Sequence, residues 1–194
     1  SIRTVICLNP DVREGDAFVL NSPYRGGTHL PDVTVVTPVF VPELGDKPAF
    51  WLGSRGHHAD IGGRTPGSAP PDSRTIDEEG VLIDNERLVT RGHFEDARMR
   101  ELLSSARYPA RNIEQNIADL QAQVAANETG KAALLQVVER YGAQVVAAYM
   151  GHVQTNAEEA VRGVIDHLSD GEFTYPMDDG SQIKVAVRGD RKAR

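Results

Sequence analysis

Short apolar runs of β type, divided by turn chemistry, occupy the first half of the chain; beyond Gly92 the apolar period changes to near 3.6. The runs Thr4 to Leu8, Ala17 to Leu20, Val33 to Phe40 and Ala49 to Gly53 are predicted strands. Asn9-Pro10-Asp11, Arg13-Glu14-Gly15-Asp16, Asn21-Ser22-Pro23-Tyr24 and Gly26-Gly27 supply the bends between them. From Ile61 to Pro71 glycines and prolines are too frequent for regular structure, which predicts an ordered loop or lid. A further strand is expected at Val81 to Ile83.

The second half predicts helices. The first runs from Phe94 to Ser105. The second follows Asn112, which is placed to cap it while Gln115 reaches back, and carries Ile113, Ile117, Leu120 and Val124 on one face. A third spans Thr129 to Tyr141 and a fourth Gly142 to Leu168, with Val145, Tyr149, Val153, Val161, Val164, Ile165 and Leu168 along the fourth. These last two could also be one helix with Gly142 inside it, since an interior glycine costs only about 1 kcal/mol. Strand patterns return at Glu172 to Tyr175 and Gln182 to Val187, joined by Met177-Asp178-Asp179-Gly180, a hairpin signal. The order predicts an α+β fold: an N-terminal mixed β-sheet region with Gly/His-rich loops over 1–92, a central helical segment over 93–168, and a C-terminal β-hairpin and tail over 169–194.

Composition narrows the partners. A net charge of -7 argues against nucleic acid, whose phosphates need a basic stripe, and the basic stretch Arg188 to Arg194 is expected to be a solvated tail. No apolar run approaches the roughly 20 residues that span a bilayer. The single cysteine, Cys7, excludes an internal disulfide, fits a reducing, cytoplasmic setting and, within Val5-Ile6-Cys7-Leu8, is expected to be buried. No phosphate-binding glycine loop is present, so any nucleotide chemistry lies outside this sequence.

Candidate chemistry gathers in two short segments, His29-Leu30-Pro31-Asp32 and Gly56-His57-His58-Ala59-Asp60-Ile61-Gly62-Gly63. Neutral imidazoles and ionised carboxylates are ligands for a divalent metal ion, and loops spend such residues on function more than on packing. A set of His29, Asp32 and His57 would leave coordination positions for water and substrate. His58 and Asp60 would then orient ligands or move protons as catalytic groups. Asn21, Tyr24 and Arg25 beside the Gly-Gly turn, and Arg55 and Arg64 flanking the His-rich loop, are candidates for binding an anionic substrate group. Each has a plainer reading, as a turn residue or a surface salt bridge. The same holds for Glu78 and Glu79, for the isolated His93, His152 and His167, and for the amide-rich stretch Asn112 to Asn127, expected to be an exposed polar face.

Long phrases resemble the hydantoinase B/oxoprolinase family: Glu14 to Asp32, Thr37 to Phe40, Ser54 to Gly63, Pro66-Gly67-Ser68 and Glu79-Gly80. The runs Tyr108 to Asn127, Ala148 to Glu159 and Tyr175 to Gly180 resemble its ATP-dependent 5-oxoprolinase branch. The resemblance covers essentially the whole chain, which is expected to be one region, 1–194, of a longer chain. It implies hydrolysis of a small cyclic amide, the lactam of 5-oxo-L-proline, to L-glutamate. ATP would be bound by a separate hydantoinase A-like portion, which phosphorylates the amide, and the assembly would be a homo-oligomer. Hydantoin hydrolysis, a carboxylase subunit and a non-catalytic assembly module are the alternatives. The His-x-x-Asp pair and later His that hold a metal in related carboxylases match His29, Asp32 and His57, with the register open between His57 and His58.

Overall fold

The computed structural model describes residues 1–67 and 70–189; Ser68 of the Pro-Gly-Ser phrase and most of the basic tail, 190–194, lie outside the described residues. Two compact units divide between residues 143 and 144.

In the first unit, β1 (Ala17–Leu20), β2 (Asp32–Phe40), β3 (Pro48–His57), β4 (Glu86–Thr90) and β5 (His93–Phe94) form a sheet of order β3-β2-β1-β4-β5. Each neighbouring pair in it is antiparallel. Side chains alternate across a strand, so β1 and β2 each feed two cores. Val19, Val33 and Val35 pack with Met99 and Leu103 of α2 (Asp96–Ser105) and with Ile117 and Leu120 of α3 (Ile113–Tyr141). Phe18, Leu20 and Val36 pack with Val5 of α1 (Ile2–Leu8), and Trp51 joins them. The α+β class holds.

Several elements differ from the sequence expectation. Thr4 to Leu8 is helical, not extended: Val5 buries itself against Phe18 and Val36, the Thr4 hydroxyl donates to the Arg25 carbonyl at 2.7 Å, and Asn9 N–H closes on the Val5 carbonyl. Tertiary contacts override the β-type composition, and Cys7 is exposed rather than buried. Val81 to Ile83 does not join the sheet; Val81 and Ile83 are buried, and their backbone groups are met by Asn21 and by the Ile61 carbonyl. The strand beyond it, Glu86–Thr90, went unpredicted because its charged start hides the buried Leu88 and Val89. Residues 93–94 pair with Val89 and Thr90, which delays α2 to Asp96.

The expected second and third helices are one, 29 residues long, since Gly130 faces Leu52 with space to spare instead of ending it. Asn112 caps α3 as anticipated, accepting from Gln115 N–H at 3.2 Å, while the Gln115 side chain turns forward to Asp119 rather than back. The reading of one helix through Gly142 fails: its φ of +86° and ψ of 142° break the path before α4 (Ala143–His167).

The second unit consists of most of α4 and the hairpin of β6 (Gly171–Pro176) and β7 (Gln182–Val187), with Tyr175 opposite Ile183 and Phe173 opposite Val185. Among the described residues no helix is long and apolar enough to cross a membrane.

Candidate metal centre

The β2–β3 register sets Asp32 directly opposite His57 and Thr34 opposite Arg55, all four on the sheet face that carries Val36 and Trp51. His57 is therefore the last residue of β3, not a loop residue following it. Its Nδ1 lies 2.9 Å from Asp32 Oδ1. His29 comes from the turn leading into β2, which its carbonyl closes by accepting from Asp32 N–H at 2.9 Å, and its ring stands 5.2 Å from that of His57. One ligand atom from each of His29, Asp32 and His57 falls within 4.8 Å of the others.

The donor set fits a divalent cation. Adjacent ligands of a tetrahedral zinc-type ion, each about 2.1 Å from the metal, stand roughly 3.4 Å apart, so the 2.9 Å hydrogen bond between Asp32 and His57 would open by about half an ångström to admit the ion. His29 is exposed and brings a ring nitrogen within 4.8 Å of the other two ligand atoms. Asp32 is held as the carboxylate: the Thr28 hydroxyl, donating at 2.7 Å, and then His57 draw its pKa below the ordinary value. Thr28 was missed in the sequence, though its four-residue spacing from Asp32 was a usable signal.

His58 points the other way. Strand alternation carries on past His57, and the next ring is 2% exposed beneath α3. Asn116 Nδ2 lies 3.0 Å from its Nδ1 and Gln123 Oε1 lies 3.1 Å from its Nε2. Both amides have their orientation set by carbonyls, since Asn116 Nδ2 also donates to Asp60 O at 2.9 Å and Gln123 Nε2 to Val33 O at 2.9 Å. Flipping either amide would set oxygen against oxygen. His58 Nδ1 therefore accepts and Nε2–H donates, and neither nitrogen is left for a metal or a migrating proton. The catalytic role expected of His58 is corrected on that ground, and His57 alone of the two faces the cluster.

Asp60 is corrected likewise. Its Oδ1 accepts from Gly62 N–H at 2.8 Å and its Oδ2 from the Arg111 guanidinium at 2.7 Å. Burial pushes its pKa up, but the bonds from Gly62 and Arg111 outweigh that and leave it lowered, making the group a weak base. Arg111 also donates to the Gly63 carbonyl, so the pair pins the loop after β3 to the start of α3.

Of the anion-binding candidates, Asn21 is fully buried and spends both amide hydrogens on Leu30 O and Val81 O while accepting from Ile83 N–H. It is a clamp, not a substrate contact. Arg25 pairs with Asp84 at 3.1 Å and Arg64 with Asp72 at 2.7 Å. Tyr24 is 82% exposed. Arg55 alone of the five shares the sheet face of Asp32 and His57.

The amide stretch is not an exposed polar face throughout. Asn116, Gln123 and Asn127 are buried on the side of α3 that meets the sheet, Asn127 donating to Val35 O and Thr37 Oγ1. Their spacing of seven and then four residues, one helical face, was the signal available.

The family description hydantoinase B/oxoprolinase matches residues 1–194. The 5-oxoprolinase of Dictyostelium discoideum is 42% identical over 196 residues, covering 96% of this chain and 15% of the relative. The caprolactamase subunit beta of Pseudomonas jessenii is 30% identical over 191 residues, covering 93% of this chain and 32% of the subunit. The crystal structure of ATP-dependent caprolactamase from Pseudomonas jessenii superposes with a TM-score of 0.76 at 28% identity, over 97% of this chain and 34% of that one. The chain thus spans a small part of the oxoprolinase and about a third of the caprolactamase chain.

Proposed function

Because the chain belongs to the hydantoinase B/oxoprolinase family, we propose that it is the hydrolytic portion of a 5-oxoprolinase-like enzyme, in which ATP-driven activation of 5-oxo-L-proline precedes ring opening to L-glutamate. The observation that supports this reading is the meeting of His29, Asp32 and His57 at one end of the β2–β3 pair. A divalent cation held by these three would supply a polarised, readily deprotonated water. Thr28 keeps Asp32 oriented and ionised. The exposure of His29 and His57 leaves the approach open to a small cyclic amide. His58 and Asp60 take no part in proton movement and instead hold the segment after β3 against α3.

ATP binding and amide phosphorylation are assigned to a hydantoinase A-like partner, in keeping with relatives whose printed names carry ATP dependence and subunit organisation. A homo-oligomeric assembly and a cytoplasmic setting belong to the same proposal.

The test is metal content after chelation and reloading of the complete protein. One cation per chain is expected, lost in His29→Ala and in Asp32→Asn; full occupancy in both variants would overturn the metal assignment. ATP hydrolysis by the complete protein should rise with 5-oxo-L-proline. A rise with hydantoin alone, or with neither, would favour a hydantoin hydrolase or an assembly module.

A further inference from the structure

Beside the His29–Asp32–His57 cluster the same sheet face continues into a cleft of about 520 Å³, lined by Ser1, Ile2, Arg3, Gly26, Thr34 and Arg55 among others. The cleft has a built wall: α1 is tied to the loop before β2, with Ser1 Oγ donating to Gly26 O and Thr4 Oγ1 to Arg25 O, each at 2.7 Å. Its floor is β2 and β3, where Gly53 contributes no side chain.

Arg55 is held in place without being neutralised. Its Nε donates to Thr34 Oγ1 at 2.9 Å, and its Nη2 reaches Ser1 Oγ at 3.2 Å and Gly26 O at 3.4 Å. All three acceptors are uncharged. Among the described residues neither Arg55 nor Arg3 meets a carboxylate, whereas Arg25, Arg64, Arg87, Arg98 and Arg111 each do. Both Nη1 hydrogens of Arg55 also lack a protein acceptor among the described residues. A guanidinium already ordered by its neighbours, with donors to spare and a second arginine on the same cleft, loses little side-chain freedom on gripping an oxyanion.

We propose that this cleft is the subsite for the carboxylate of the amide substrate, with Arg55 as the principal donor and Arg3 as its companion. The inference rests on the oxoprolinase reading above. Thr34 and Arg55 form the next same-face pair after Asp32 and His57, about 7 Å along the strands at 3.4 Å per residue. In 5-oxo-L-proline the carboxylate-bearing carbon and the lactam carbonyl flank the ring nitrogen. Arg55 is the next residue of β3 on the face of His57, so a ligand whose carbonyl faces His57 can present its carboxylate to the Arg55 side of the cleft. A phosphoryl group presents the same oxyanion chemistry, and the test separates the two.

The complete protein would be titrated calorimetrically with 5-oxo-L-proline, with 2-pyrrolidinone, which is the same ring without the carboxylate, and with inorganic phosphate. The wild type should bind 5-oxo-L-proline at least tenfold more tightly than 2-pyrrolidinone. Arg55→Gln should remove that preference and leave 2-pyrrolidinone unchanged. Arg3→Gln, at an exposed helix position where folding is not at stake, should reduce the preference severalfold, and Arg55→Lys should retain part of it.

An undiminished preference in both glutamine variants would overturn the subsite. A loss confined to phosphate binding would overturn the carboxylate assignment in favour of a phosphoryl group. Binding of neither ring compound by the wild type would overturn the oxoprolinase reading itself, an outcome distinct from equal binding of both, which overturns the subsite alone.

Discussion

The buried bridge from Gln123 to His58 to Asn116 can be weighed by a double-mutant cycle on His58→Leu and Gln123→Leu. His58 is 2% exposed and Gln123 8%. Gln123→Leu removes the acceptor of His58 Nε2–H and the donor to Val33 O and Ser54 O. Stranding one buried polar group costs about 1–3 kcal/mol, and a net hydrogen bond is worth about 1, so a loss near 3 kcal/mol is expected. His58→Leu strands Gln123 Oε1, while Asn116 keeps its bond to Asp60 O; roughly 2–3 kcal/mol is expected there. The double variant leaves neither member of the stranded pair. Its cost should therefore fall short of the sum by about 1–2 kcal/mol, the range seen for residues in one network. Trp51, the one tryptophan of the chain, packs against the α1-side core and reports unfolding in urea. Additivity within about 0.5 kcal/mol would refute the bridge. Loss of bound metal in His58→Leu, with folding intact, would refute the assignment of His58 as purely internal.

Three further outcomes follow from the same geometry. Asp60 has a folded-state pKa below its ordinary 3.8, so the unfolded chain protonates first as pH falls; the stability it contributes is present above about pH 4 and lost beneath, and acid titrations of wild type and Asp60→Asn should converge there. Thr28→Val removes the first of the bonds that lower the Asp32 pKa, so the Asp32 midpoint, followed by carboxyl NMR, should move upward; an unmoved midpoint would show that the Thr28 hydroxyl does not hold it. Gly142→Ala forces a side chain onto a backbone at φ +86°, and thermal unfolding should show a loss of about 1 kcal/mol or more, whereas unchanged stability would mean that the break tolerates another conformation.

Much of the candidate site was legible in the chain because its information is local. A loop histidine and an aspartate three residues on, then histidines at the end of an apolar run, need no knowledge of the fold to suggest ligands. Asn112 as a helix cap and Asp179-Gly180 as a hairpin turn are equally local, since the group each satisfies lies within a few residues.

What failed was whatever depends on distant partners. Ile2 to Leu8 has the composition of a strand and becomes a helix because Val5 finds a pocket between Phe18 and Val36. Adjacent His57 and His58 are indistinguishable as letters. The Asp32–His57 register turns one outward to a carboxylate, and the alternation of the backbone turns the other inward to amides 58 and 65 residues away. Asn21, Asp60 and Arg64, polar and near the cluster in sequence, are consumed by Ile83, Arg111 and Asp72. Residue types along the chain set which chemistry was possible. Hydrogen-bond partners far along the chain decided which side chains remain free to perform it, because a buried polar group must be satisfied before it can serve any ligand.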